Sequence, residues 1–258
     1  MKKVIMNKLV TIGLIIVIIA GVLAFYFVGY KYIIGKSQAI PYGKFVKISN
    51  VDYAPKGKIL IVEQSWIGCP VGAAASWVIY NVLFHYGNLS YYEHYSDPFD
   101  KAASNVPGLI FTGFKPSGVV EYEVVYTYNE YLNATPSGQP IPVNQLIPVG
   151  EQVLYAQLPQ NIAALMIKYE TQVPLINYNN ASALVVKPPH LNFGLLITGP
   201  NGTYVLTGAL VSPKLLEGYT PQYVMSHLDS FSAIVNESNY IESYILYAAG
   251  PLASQCIY

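Results

Sequence analysis

The stretch "KILIVEQSWIGCPVGAAASWVIYNVLFHYG", residues 58–87, decides the fold class. Residues 58–65 are an apolar, β-favouring run and predict a strand. Over residues 70–86 the pattern turns helical: Ala74, Val78, Val82 and Tyr86 fall on one stripe, and Gly87 stands where a helix would stop. A strand passing directly into a helix opens a βαβ unit, which points to an α/β protein. Cys69, one of two cysteines in the chain, falls at the handover. At or beside a helix N-cap, unpaired amides and the positive end of the helix dipole favour a thiolate. Pro70 suits the first helical position because it has no N–H to leave unsatisfied. Three readings of Cys69 are open at this point: a reactive thiol, half of a structural disulfide, and a small residue in a core.

Downstream, residues 89–95, 108–114 and 119–128 read as strands, and residues 151–169 as one or two helices around Pro159. The segment "NATPSGQPIPVNQLIPVG", residues 133–150, is rich in Pro and Gly without periodicity and predicts a loop. Residues 195–198 and 204–207 flank "GPNG", a hairpin signal because Asn-Gly tolerates the positive φ of a tight turn. Thr220 is placed to cap a helix with Pro221 at its first position. A final helix is expected from about Asn239, with Glu242 three residues on in a box-like start. Its apolar stripe is Ile241, Ile245, Ala248 and Leu252, and Gly250-Pro251 bends or restarts it before Cys256.

Residues 9–30, "LVTIGLIIVIIAGVLAFYFVGY", run 22 positions without a charge. As a helix they would match the ~30 Å hydrocarbon core of a bilayer. The run exceeds the ~7–15 residues of a signal-peptide apolar region and no small-x-small site closes it, so an uncleaved anchor in membrane lipid is expected. Lys2, Lys3 and Lys8 precede it and Lys31 and Lys36 follow, which puts residues 1–8 in the cytoplasm. The expectation is a single-pass protein of the cell membrane, with a stalk at residues 31–45 and an extracytoplasmic domain at residues 46–258. Sequons at Asn88, Asn133, Asn180, Asn201 and Asn236 agree with that side and predict N-glycosylation.

Charged residues make up 11% of the chain, about half the average of globular proteins. All fourteen basic residues are Lys, so bidentate guanidinium recognition of phosphate is missing and no nucleic-acid partner is expected. With few carboxylates to protonate, the chain should lose little stability in acid. His85, His94, His190 and His227 show no metal spacing, and two thiols are too few for a cysteine-based zinc site. Neither a nucleophile elbow nor a phosphate or dinucleotide fingerprint is present, so no cofactor is expected.

Trp-x-Gly-Cys-Pro running into a helix resembles the active-site region of the thioredoxin superfamily. It is closer still to a group of unassigned function within it that carries a C-P-x-C-A-A-x-x-W signature. Cys69, Pro70, Ala73, Ala74 and Trp77 occupy the matching positions. The tail "GTYVLTGALVSPKLLEG", residues 202–218, resembles that group's penultimate strand and loop, and the final helix closes on a cysteine, here Cys256. Roughly half of the exported domain is covered, and its middle is unmatched. The resemblance implies an α/β, thioredoxin-like fold with an enlarged middle. It also implies a cis-proline against the active cysteine ahead of the terminal hairpin, for which Pro174 and Pro189 are the candidates. Gly72 stands where the signature has its second cysteine, so no adjacent resolving thiol exists.

Two functions follow as expectations. One is thiol–disulfide exchange on exported proteins, with Cys69 as nucleophile and Cys256 as resolving partner. The other is a non-catalytic binding or structural module that contacts cell-envelope components, stapled by a Cys69–Cys256 disulfide. Two cysteines in an oxidising compartment favour pairing, and closing a loop of roughly 190 residues would contribute about 5 kcal/mol. Trp66, on the turn, is divided between a substrate groove and the core, whereas Trp77, inside the helix, is expected in the core. Glu63 is expected to face solvent, with a buried proton acceptor as the alternative.

Overall fold

The computed structural model describes residues 38–256. The expected anchor at residues 9–30, the expected cytoplasmic terminus at residues 1–8 and the first part of the expected stalk lie outside the described residues. In chain order the described residues form β1 (Val46–Ser49), β2 (Ile59–Ser65), α1 (Pro70–Leu83), β3 (Gly87–Tyr95), β4 (Pro107–Pro116), β5 (Val120–Tyr126), α2 (Leu146–Gln157), α3 (Gln160–Thr171), the single turn α4 (Ser182–Val185), β6 (Gly194–Gly199), β7 (Gly202–Thr207), α5 (Pro221–Ser226) and α6 (Ser232–Ala249). Among them no helix is long and apolar enough to cross a membrane.

Five strands make a mixed central sheet in the order β1-β7-β6-β2-β5. β2 runs parallel to β5, from Ile59 opposite Val120 to Ser65 opposite Tyr126, and antiparallel to β6. β6 and β7 form the antiparallel hairpin expected from "GPNG", with Gly202 at φ +109°. Every residue of β2, β6 and β7 is buried because helices cover both faces of the sheet. On one face Ile61, Leu195 and Ile197 meet Ile79, Val82 and Leu83 of α1 and Ile241 of α6. On the other, Gln64 and Gly194 meet Met166 and Glu170 of α3.

β3 and β4 form a separate antiparallel pair, inserted between α1 and β5. The hairpin docks on α1 through the residues after Cys69. The Trp77 indole N–H donates to Pro107 O at 2.8 Å, and Leu109 N–H donates to Ser76 Oγ at 2.8 Å. Trp77 is fully buried, in the core where its helical position put it.

Four boundaries differ from the sequence reading. The expected stalk is already domain from Ala39 onward: Ile40 N–H donates to Pro174 O at 2.9 Å, and Phe45 is buried. α1 stops at Leu83, and Gly87 instead opens β3, where a Cβ would meet the Lys115 carbonyl. α2 starts inside the predicted loop at Leu146; Pro148 falls in its first turn, where a missing N–H costs nothing. α6 starts at Ser232, so Glu242 lies mid-helix and not in a capping box. Its early turns are hidden in the sequence because Ser238 interrupts the buried stripe, bonding to Ile234 O at 2.8 Å. Thr220 does cap its helix, accepting from Tyr223 N–H.

Candidate functional site

Cys69 is the N-cap of α1, extended at φ −63° and ψ 116°, with Pro70 at the first helical position. Its carbonyl accepts from Ala73 N–H at 2.8 Å, and its Sγ accepts from Gly72 N–H at 3.2 Å. The segment leading into β6 closes over the sulfur. The thiol lies 3.6 Å from both the main-chain O and the side-chain Oδ1 of Asn192, to which it donates. Cys69 is 1% exposed.

The thiolate expected from the N-cap position is therefore not favoured. Burial pushes the Cys69 thiol up to about 12; the Gly72 amide and the Ser65 hydroxyl pull it down less strongly, and Asp100 adds repulsion. The magnitudes decide the outcome. Charge stabilisation at a helix end is worth about 0.3–2 kcal/mol, whereas full burial shifts a titrating group by up to about 3–5 pH units.

Cys256 follows the last 3-10 turn, its thiol 3.7 Å from Leu252 O, and both cysteines are free. The expected disulfide is not formed, for a topological reason. The end of α6 meets the β6–β7 turn, where Asn201 N–H donates to Ala248 O at 2.9 Å, and Gln255 O lies 4.0 Å from a Cβ built on Gly118 in the β4–β5 turn. Cys256 thus sits where β2 begins and Cys69 just past where β2 ends. Seven residues of strand separate the two levels by about 20 Å, far beyond the roughly 7 Å between Cα atoms that a disulfide spans.

The cis peptide precedes Pro188, not Pro174 or Pro189. The residue that meets Cys69 is Asn192, four positions further on. Pro189 is exposed and lines an open groove with Val143, Asn144 and Ile147. Pro174 pairs with Ala181 and receives Ile40, tying down the chain entry.

Further buried polar groups lie on the elements that hold the thiol. Asn192 N–H donates to Glu170 Oε2 at 2.9 Å, and burial raises Glu170 to about 8 against the opposing pull of that N–H. Glu63 does not face solvent: it is buried, accepts a hydrogen bond from the Tyr122 hydroxyl, and is raised to about 7 chiefly by burial. Its central strand leaves no solvent-facing side. Trp66 is in the core, not along a groove: it is buried with its ring edge-on to His190 at 5.4 Å between centroids. Glu63, Ser65, Trp66, Gly72 and His94 line a cavity of about 10 Å³, room for about one water molecule.

Asn192, Glu170 and Tyr122 escaped the sequence reading. Glu170 left a signal, since it continues the buried α3 stripe of Ala163, Met166 and Ile167. Asn192 left none; it is 123 positions from the sulfur it covers. The five sequon asparagines are all exposed, and the Asn201 amide donates to Tyr247 O at 2.9 Å. Among the described residues no three His, Cys, Asp or Glu side chains are grouped to hold a metal ion.

The family model described as a domain of unknown function (DUF929) matches residues 44–247. No curated protein and no solved structure matches the chain.

Proposed function

The chain belongs to the DUF929 family, and for this member we propose a non-catalytic, thioredoxin-like module of the cell envelope, held outside the membrane by residues 9–30. The thioredoxin-like reading is supported by the parallel β2–α1–β5 crossover, the antiparallel β6–β7 hairpin beside β2 and the closing helix α6. The β3–β4 hairpin is then the enlarged middle.

One observation carries the functional half: the Cys69 sulfur is enclosed between the Gly72 amide and Asn192. Exchange needs an accessible thiolate. Burial that raises the Cys69 thiol this far keeps it protonated at neutral pH. The resolving step has no partner either, because Gly72 replaces the adjacent cysteine and Cys256 lies at the other end of the sheet. The module carries no Cys69–Cys256 staple, since the two thiols are free. Cys69 is then a small polar-capped residue at a packed junction, and function resides on the surfaces the fold presents.

Alkylation of the full-length protein tests this. With iodoacetamide near pH 7.5, the Cys69 peptide should stay unlabelled over hours in the native protein, and label after unfolding without added reductant. Native labelling as fast as a free cysteine peptide, together with a glutathione mixed disulfide at Cys69, would restore the exchange reading.

A further inference from the structure

β5 ends the central sheet, and its outer edge is open. Ile59 N–H donates to Val119 O at 2.9 Å and Thr127 N–H to Ser65 O at 2.8 Å, which phases the parallel ladder. Odd-numbered residues of β5 direct their main-chain groups at β2. Those of Tyr122, Val124 and Tyr126 point away from it, and β4, the nearest other strand, pairs only with β3. Among the described residues this edge has no main-chain partner.

The open edge is the floor of a groove of about 400 Å³. β4 forms one wall through Phe111 and Phe114, whose rings stand edge-on to Tyr122 at 5.8 and 6.0 Å between centroids. Pro136, Gln157 and Leu158 form the other. Side chains alternate along β5, so Tyr122, Val124 and Tyr126 face the aromatic wall, and Glu123 and Val125 face the opposite one. Glu123 is exposed and is the only charged residue lining the groove. Its neighbour Glu121 is matched by Lys58 at 3.2 Å, whereas no ion pair among the described residues includes Glu123.

We propose that this groove binds an extended segment of another protein as a sixth strand, with apolar side chains against Phe114 and a lysine or arginine opposite Glu123. Strand addition takes its affinity from main-chain hydrogen bonds and its selectivity from alternate side chains, and both halves are present here. The unmatched carboxylate selects a basic segment. It also disfavours a second copy of this chain in the register centred on Glu123, where a two-fold axis sets Glu123 opposite Glu123. The five residues from Tyr122 to Tyr126 span about 16 Å, the reach of a pentapeptide. Occupancy of this edge is independent of the state of Cys69.

The test measures fluorescence anisotropy of labelled, end-capped Val-Lys-Val-Lys-Val and Val-Glu-Val-Glu-Val on the full-length protein in detergent. The lysine peptide should bind saturably and at least tenfold more tightly than the glutamate peptide, and Glu123→Lys should reverse that preference. Val124→Pro removes an outward-facing donor and leaves the ladder to β2 intact; it should weaken the lysine peptide at least tenfold. Absence of saturable binding, equal binding of both peptides, or a folded Val124→Pro protein that binds unchanged would each overturn the proposal. So would a dimer in sedimentation that Val124→Pro dissolves, which would assign the edge to a second copy. Should Val124→Pro fail to fold, the charge swap at Glu123 decides alone.

Discussion

Gly72 stands three residues after Cys69 in the first turn of α1, and a Cβ built on it runs into Ser65 Oγ, with Ser65 Cβ and Cys69 Cβ both at 3.3 Å. The absence of a side chain at position 72 is thus matched by the Ser65 side chain on the neighbouring strand. Gly72→Cys is expected to destabilise the protein by about 1–3 kcal/mol through overpacking, and Ser65→Ala in the same chain should recover part of it. Urea unfolding midpoints check both. A neutral Gly72→Cys would show that Ser65 does not constrain the position. At this scale the sequence placed Cys69 at the N-cap, Pro70 behind it and Trp77 in the core, because each is set by neighbours a few positions away. The chemical state of the thiol is set by Asn192, which reaches it only through the tertiary fold. Burial therefore outweighs the helix-end effect of the local motif.

At the scale of elements, the hairpin β3–β4 owes its place to a close approach. A Cβ on Gly108 would lie 2.6 Å from Ala73 Cα and 2.7 Å from Ala73 Cβ, and helix backbone cannot yield there. Gly108→Ala should cost about 3 kcal/mol, at the upper end of overpacking. Amide hydrogen exchange should accelerate across β3 and β4 while β2 and β6 stay protected; loss spread evenly over all four strands would show that the hairpin does not open by itself. Elements with local punctuation were legible: the strand–helix pair around Cys69, the "GPNG" hairpin, and the helix capped by Thr220. The order of strands was not, because β2 pairs with β6 across more than half of the domain. The first turns of α6 were lost to Ser238, a polar residue on a buried stripe.

For the whole molecule, the buried ionisable groups set an unusual pH response. Burial raises Glu63 to about 7 and Glu170 to about 8, so the native state holds protons that the unfolded chain releases near its ordinary value of 4.5. Stability from these two carboxyls is fully present below that value and is lost as pH rises through 7 and 8. His190, lowered to about 4 by burial, and His94, lowered for the same reason, act oppositely below pH 6.5 and offset part of the gain there. The net decline should therefore fall between about pH 6.5 and 8, at up to about 1.4 kcal/mol per pH unit for each proton released. Thermal midpoints measured across that range should drop, and Glu63→Gln with Glu170→Gln should flatten the drop; a midpoint that climbs towards pH 8 would contradict it. Little is lost in acid from the surface, since the described residues hold two ion pairs, Lys44–Glu237 and Lys58–Glu121, and exposed pairs contribute about 0–1 kcal/mol each. The same packed junction has a practical side. The chain's only two indoles are both interior, and Trp66 takes the Cys69 N–H on its carbonyl at 3.0 Å. Intrinsic tryptophan emission consequently comes from Trp66 at this junction and from Trp77 where α1 meets Pro107, giving the protein a built-in optical gauge of whether both enclosures of α1 are intact, readable without any attached dye.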